Sequence, residues 1–70
     1  MLGQPKFNYG DFVCIKFSDG MVECGTIEII DAYGTFFNQN EVCYDILVTK
    51  DDGTKVLYKH ISEQRVYEVS

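Results

Sequence analysis

The strongest structural signal in this chain lies in residues 42–58, which read VCYDILVTKDDGTKVLY. Apolar side chains stand at every second position from Val42 to Val48, which is the period of a half-buried β-strand. The KDDGT segment that follows matches a type I turn with Gly53 in the left-handed position. The last four residues are again strand-like, so this stretch predicts two antiparallel strands joined by a tight turn.

Alternating apolar residues and turn residues predict three more strands outside this hairpin. Upstream, the strand-like FVCIKF is followed by the turn SDG, in which Gly20 supplies the positive φ that the turn needs. Residues 31–40 form the longest irregular stretch. Residues 59–64 show no alternation and suit a single 3₁₀ or helical turn. The predicted strands are 12–17, 21–30, 42–49, 55–58 and 65–69.

The second predicted strand changes phase along its length. Val22 and Cys24 fit one alternation, whereas Ile27 and Ile29 fit the other. A strand of period two cannot bury both pairs on one face unless a residue is inserted. We therefore predict a β-bulge or sharp bend at Gly25-Thr26, where glycine tolerates the distortion.

Five strands, two tight hairpins and a 3₁₀ or helical turn before the last strand predict an all-β fold, a five-stranded SH3-like barrel. Partial closure removes the exposed edges and the uncovered face of a flat sheet. We expect residues 1–8 to form a flexible N-terminal arm and residues 9–70 a single barrel domain, because 70 residues cannot enclose a second core. The predicted core is Val13, Ile15, Phe17, Val22, Ile27, Ile29, Val42, Tyr44, Ile46, Val48, Val56, Ile61 and Val66.

Charge and hydropathy exclude several classes of function. Eleven acidic residues against 6 basic ones give a formal charge of −5, which argues against a phosphate-binding surface. No apolar run approaches the ~18 residues needed to cross a bilayer. The first residues also lack the apolar segment of a secretory signal. We expect a cytoplasmic protein with no membrane contact, and nucleic acid is not the expected partner.

Cysteine and histidine usage predicts no catalytic chemistry. Cys14, Cys24 and Cys43 form no C-x-x-C motif, and their strand-like surroundings predict reduced thiols that act as small apolar side chains in a reducing compartment. The only histidine, His60, is expected to decorate the predicted helical turn. The adjacent aspartates of the KDDGT turn lack the ligand spacing of a calcium loop. We therefore predict no enzymatic activity, no metal site and no cofactor.

The stretch YGDFVCIKFSDG at residues 9–20, followed by GTI at 25–27, resembles the opening of small SH3-like barrels of the Tudor and KOW type. In Tudor-like domains, aromatic residues near the strand ends form a cage for methylated lysine or arginine. In KOW domains, the loop after the first strand often contacts RNA or a polymerase-associated protein. Here that hairpin lacks the basic residues of an RNA-contacting loop. The resemblance implies the fold and assigns no functional residue.

The aromatic residues of the long irregular stretch carry the leading functional hypothesis. Large apolar side chains in a surface loop either cover the open end of the barrel or contact a partner. We expect a non-enzymatic protein-interaction module that uses this loop with an acidic rim, and a homodimer through the same patch is a variant. The candidate partner-binding residues are Phe12, Tyr33, Phe36, Phe37 and Tyr58, with Tyr67 as a further neighbour.

The alternative hypothesis is a role related to nucleic acid, in one of two forms. One is weak binding of nucleic acid through the later basic residues, Lys50, Lys55, Lys59 and Arg65. The other is an acidic decoy that occupies a nucleic-acid-binding protein. The acidic residues concerned are Asp19, Glu23, Glu28, Asp31, Glu41 and Asp45.

Overall fold

The computed structural model describes residues 4–32 and 41–69, which form five strands and one 3₁₀ helix. The predicted all-β class and the 3₁₀ turn before the last strand are confirmed. The elements are β1 (Phe12–Lys16), β2 (Val22–Asp31), β3 (Cys43–Thr49), β4 (Lys55–Ser62), the 3₁₀ helix (Glu63–Arg65) and β5 (Val66–Glu68). β4 continues through four residues that we expected in the turn, because Ile61 and Ser62 still pair with β3. No helix in the described residues is long and apolar enough to span a membrane.

The strands form one antiparallel sheet in the order β4-β3-β2-β1-β5. Each of the first four strands pairs with the next along the chain, and β5 returns to pair with β1. In the described part of the chain no ladder joins β5 to β4, so the sheet is open and its closure into a barrel is not observed.

The bulge in β2 lies further along the strand than predicted. Ile27 pairs with Ile46 and Ile29 pairs with Asp45, so the extra residue is Glu28. We predicted the bulge at Gly25-Thr26 on the assumption that all the apolar residues of β2 are buried, and that assumption is wrong. Val22 and Ile29, two members of the predicted core, are exposed on the side of the sheet that faces away from the core.

Gly25 has a different role, which is to allow β2 and β3 to approach each other. A Cβ atom at this position would lie 2.1 Å from the carbonyl oxygen of Leu47. That distance is a severe clash with the backbone, which cannot move aside as a flexible side chain can. Glycine in a strand often marks such a close backbone approach.

A second bulge lies in β4, opposite Asp45. Tyr44 pairs with Ile61 and Ile46 pairs with Tyr58, so Lys59 and His60 together oppose a single residue of β3. His60 adopts a positive φ of 58° there. Its N–H donates to Oδ1 of Asp45 at 3.1 Å, and this carboxylate therefore supports the irregular backbone.

The core lies on one side of the sheet, which we call the inner face; the opposite side is the outer face. Most of the predicted core is buried there, and Phe17 and Ile61 pack against it in half-buried positions. Alternation from Val13 to Ile15 in β1, and from Tyr44 to Val48 in β3, explains this arrangement. The buried core residues on this side are Phe7, Val13, Ile15, Ile27, Ala32, Val42, Tyr44, Ile46, Val48 and Val66.

Phe7 lies in the expected flexible arm but is a core residue. Its ring packs edge to face against Tyr44, with centroids 5.7 Å apart. Glu63 fixes the same segment, because its Oε2 accepts the Lys6 N–H at 3.1 Å and the Tyr44 hydroxyl at 2.5 Å. The part of the arm that the structure describes is therefore attached by an aromatic contact to Tyr44 and a hydrogen bond to Glu63, which single-sequence periodicity does not report.

Cys14 and Cys24 form a disulfide, so the expectation of three reduced thiols is wrong. The two residues are directly opposite each other in the β1–β2 ladder. They occupy a position without backbone hydrogen bonds, where cross-strand neighbours come closest. Cys43 is free and buried. The expectation of a cytosolic location rested on reduced thiols, and the disulfide removes that argument.

The thiol count of the purified protein tests this pairing. Alkylation of the unfolded protein without reductant should modify one cysteine, Cys43, because the other two sulfurs are bonded to each other. Alkylation after reduction should modify all three. Intact mass spectrometry distinguishes these outcomes, and three modified cysteines without reductant would contradict the disulfide.

Tyr44 predicts a pH dependence of stability at alkaline pH. Burial and the hydrogen bond to Glu63 raise the pKa of its hydroxyl above the ordinary value of about 10. The unfolded chain therefore loses this proton at a lower pH than the folded chain, and stability falls as the pH rises above about 10. The free energy of unfolding should fall with pH less steeply in Tyr44→Phe than in wild type. The difference between the two slopes should be up to about 1.4 kcal/mol per pH unit. Urea unfolding at a series of alkaline pH values measures this, and equal slopes would show that Tyr44 does not contribute.

Candidate functional site

Among the described candidate residues, Phe12 and Tyr58 lie on opposite sides of the sheet. Phe12 is exposed on the outer face, whereas Tyr58 is half-buried and pairs with Ile46 on the inner side. Tyr33, Phe36 and Phe37 lie outside the described residues. Tyr67 is exposed and pairs with Cys14, on the same side as Phe12.

Tyr58 belongs to an open cleft at the end of the inner face, between the β1–β2 turn and β4. The volume of this cleft is about 330 Å³, near the lower end of the range for ligand pockets. We call it the hairpin cleft. Its lining residues are Phe17, Ser18, Asp19, Met21, Glu23 and Tyr58.

Two aromatic rings form the apolar wall of the hairpin cleft. The centroids of Phe17 and Tyr58 are 5.3 Å apart, with ring planes inclined at 55°. Phe17 follows the alternation of β1, which directs it to the inner side, and its N–H donates to the Met21 carbonyl across the turn. Asp19 accepts the Met21 N–H at 2.9 Å, and Gly20 has a φ of 90°. The turn thus holds the ring and the Asp19 carboxylate at the mouth of the cleft.

Lys50 brings a cation to this aromatic wall. Its Nζ lies 2.6 Å from Oε1 of Glu23 and 3.2 Å from the Tyr58 hydroxyl. The same atom stands 5.7 Å from the centroid of the Tyr58 ring, within the distance of a cation–π contact. The hydrogen bonds to Glu23 and then to Tyr58 raise the pKa of Lys50. The carboxylate and the hydroxyl, at the edge of the Tyr58 ring, therefore act together as a receptor for one ammonium group.

Local turn chemistry fixes the position of Lys50. Its carbonyl accepts the Gly53 N–H at 2.9 Å and its N–H donates to the Thr54 carbonyl at 2.7 Å. Gly53 has a φ of 88°, as the predicted type I turn requires. The side-chain oxygen of Asp52 accepts the Thr54 N–H, and this hydrogen bond lowers the pKa of Asp52. The turn that the sequence predicted is thus the element that delivers the cation to the cleft.

The remaining reactive groups lie apart from the cleft. Burial raises the pKa of the Cys43 thiol, and the negative charges of Glu41, Asp31 and Asp45 raise it further, which disfavours the nucleophilic thiolate. His60 is exposed on the β4 bulge. Among the residues that the structure describes, no group of three His, Cys, Asp or Glu side chains is placed to hold a metal ion.

The basic residues considered for nucleic acid do not form one surface of free charges. Lys50 is paired with Glu23, and Arg65 donates to the Lys16 carbonyl at 3.5 Å. Lys55 and Lys59 are exposed on β4.

Of the residues at the hairpin cleft, Tyr58 is the one that the sequence analysis named as a candidate partner-binding residue. Phe17 was assigned to the core, Glu23 to a diffuse acidic set and Lys50 to a basic set. Glu23 and Lys50 are 27 residues apart. No local spacing connects β2 with the β3–β4 turn, so their pairing depends on the sheet topology.

No family model matches this sequence, and neither a curated protein nor a solved structure is significantly similar to it.

Proposed function

We propose that this protein is a non-enzymatic interaction module that binds a basic segment of a partner protein, with a lysine or arginine side chain of that partner in the hairpin cleft. The observation that carries the proposal is the Lys50 ammonium group, which bonds to a carboxylate and a hydroxyl at once and lies 5.7 Å from the centroid of the Tyr58 ring. A cleft that binds its own cation in this way has the chemistry to bind a cation of a partner.

The walls of the cleft support a long cationic side chain over a small ion. The methylene groups of lysine and arginine pack on apolar surface while their charged ends reach polar groups. Phe17 and Met21 offer such a surface beside Glu23 and Asp19. Arginine has the additional advantage of a planar group that stacks on aromatic rings and pairs with carboxylates.

Net charge supports a basic partner. The formal charge of −5 attracts positively charged segments before contact and raises the rate of encounter. The two carboxylates at the cleft direct that attraction to one place. The aromatic residues Tyr33, Phe36 and Phe37 stay in the proposal as predicted further contacts.

We also infer that the open sheet is an incompletely closed SH3-like barrel. The pairing of β5 with β1, the 3₁₀ helix before β5 and the two bulges support this inference. Tudor-type barrels, which the first hairpin resembles, bind methylated lysine or arginine in aromatic cages. That resemblance concerns the fold and assigns no residue of the hairpin cleft.

Replacement of the cleft carboxylate tests the proposal. The probe is a short fluorescent peptide rich in lysine and arginine, and binding is followed by anisotropy. Glu23→Gln should weaken binding about tenfold or more, because a charge-assisted hydrogen bond is lost. Glu68→Gln removes the same charge from an exposed position on β5 and should change binding little. A wild-type protein that does not bind the peptide, or an equal effect of both variants, would contradict the proposal.

Replacement of the internal cation should have the opposite effect. Lys50→Met frees Glu23 and the Tyr58 ring, so it should bind the same peptide several-fold more tightly than wild type. Lys55→Met is the matched control, since it removes an equal charge from an exposed position. Equal gains in the two variants would mean that only net charge matters and that the cleft is not the site. A single-stranded oligonucleotide in parallel reports on the nucleic-acid alternative, for which both lysine variants should bind more weakly.

A further inference from the structure

The outer face of the sheet carries a row of large apolar side chains that one threonine interrupts. Leu57 of β4 is opposite Leu47 of β3, which is opposite Thr26 of β2, which in turn is opposite Phe12 of β1. Directly opposed side chains on one face of a sheet are neighbours about 4.5–5.5 Å apart at Cβ. These four residues therefore form one strip across four strands.

Further apolar groups extend this strip on both sides. Tyr67 and the Cys14–Cys24 disulfide lie on one side of it, and Val22 lies beyond them along β2. Ile29 lies on the other side of the strip, and the Glu28 bulge places it on the outer face. The exposed fractions are 58% for Phe12, 53% for Ile29, 46% for Val22, 43% for Tyr67 and 40% for Leu57.

This concentration is unusual for a surface exposed to water. In the described residues, five of the eight exposed large apolar side chains are on this one face. Single exposed apolar residues are normal, whereas a contiguous patch of several hundred Å² marks a contact site. Aromatic and aliphatic side chains of this size, about half exposed, together present on the order of 400 Å².

We propose that the outer face docks against the outer face of a second copy of this chain, in a symmetric dimer of stacked sheets. The area supports this occupant. With its polar margin the face would bury on the order of 500 Å² per copy, about a tenth of the 4742 Å² surface of the protein. The total of about 1,000 Å² reaches the lower end of specific interfaces, so we expect a dimer of modest affinity.

The charges of the outer face also suit a second copy. Lys16, next to Val22, and Lys55, opposite Thr49, lie toward one end of the face, and Asp45, next to Ile29, lies at the other. In a symmetric dimer each residue of one copy meets the partner residue of the other reciprocally. A two-fold axis that runs obliquely across the strands brings Lys16 of each copy toward Asp45 of the other. A face with both signs at opposite ends is complementary to itself.

Dimerisation through the outer face leaves both hairpin clefts accessible, because the cleft belongs to the inner side. The dimer would then present two cation-binding clefts, and a partner with two basic segments would gain avidity. The dimer itself does not depend on the proposed ligand. Each idea can therefore fail without the other.

Sedimentation equilibrium over a range of protein concentrations tests the dimer. The wild-type mass should rise with concentration from 8.0 kDa toward twice that value. Phe12→Glu and Leu57→Glu should each weaken dimerisation at least about tenfold, because each variant would bury an unpaired carboxylate in the dimer interface. Tyr9→Glu, an exposed aromatic outside the strands, is the control and should dimerise as wild type does.

Two results would overturn the proposal. One is a wild-type protein that stays monomeric up to millimolar concentration, which would mean that the face has another occupant. The other is a Phe12→Glu variant that is folded by circular dichroism and dimerises as wild type does. If either variant is not folded, the concentration dependence of wild-type amide shifts decides instead. Shifts confined to the outer face support the dimer, and shifts elsewhere or none at all contradict it.

Discussion

The close approach of β2 and β3 at Gly25 is the constraint on which the rest of this structure depends. A side chain there would collide with the carbonyl of Leu47, and only glycine lets the two backbones come so near. Immediately beyond this point the Glu28 bulge shifts the phase of β2. Before the shift, Ile27 faces the core; after it, Ile29 faces away. One long strand thus serves the core at its centre and contributes apolar groups to the outer face at both ends.

The two surfaces of the sheet have different chemistry because of this arrangement. On the inner side, the apolar core ends at a cleft where Glu23 meets the aromatic ring of Tyr58 and a cation. On the outer side, the exposed positions of the same strands are mostly apolar. A strand alternates its side chains between faces, so Val22 and Glu23 contribute to opposite surfaces although they are adjacent in the chain. Each surface can therefore interact independently of the other.

Local patterns predicted most of the architecture but little of the site. Strand alternation and the turn chemistry around Gly20 and Gly53 depend on neighbours in sequence, and both hairpins form as expected. The bulge position depends on the register with a distant strand. Phe7 is buried by Tyr44, 37 positions further along the chain. The contact of Phe7 and the position of the bulge are properties of the topology, which no short window of the sequence encodes. The Cys14–Cys24 bond is different, because it joins two strands of one hairpin and its register follows from the turn between them.

The contacts of Lys50 support a cationic ligand more strongly than the net charge of the protein does. A charge of −5 attracts every cation within a Debye length, about 8 Å at physiological ionic strength. The net charge therefore raises the rate of encounter with cations but does not discriminate between them. Selection needs groups in fixed positions that replace the water around the cation. Glu23 and Tyr58 hold such positions because β2 and β4 carry them, and the β3–β4 turn demonstrates with its own lysine which group they accept. The proposed specificity therefore rests on two strands and a turn that meet at one end of the sheet.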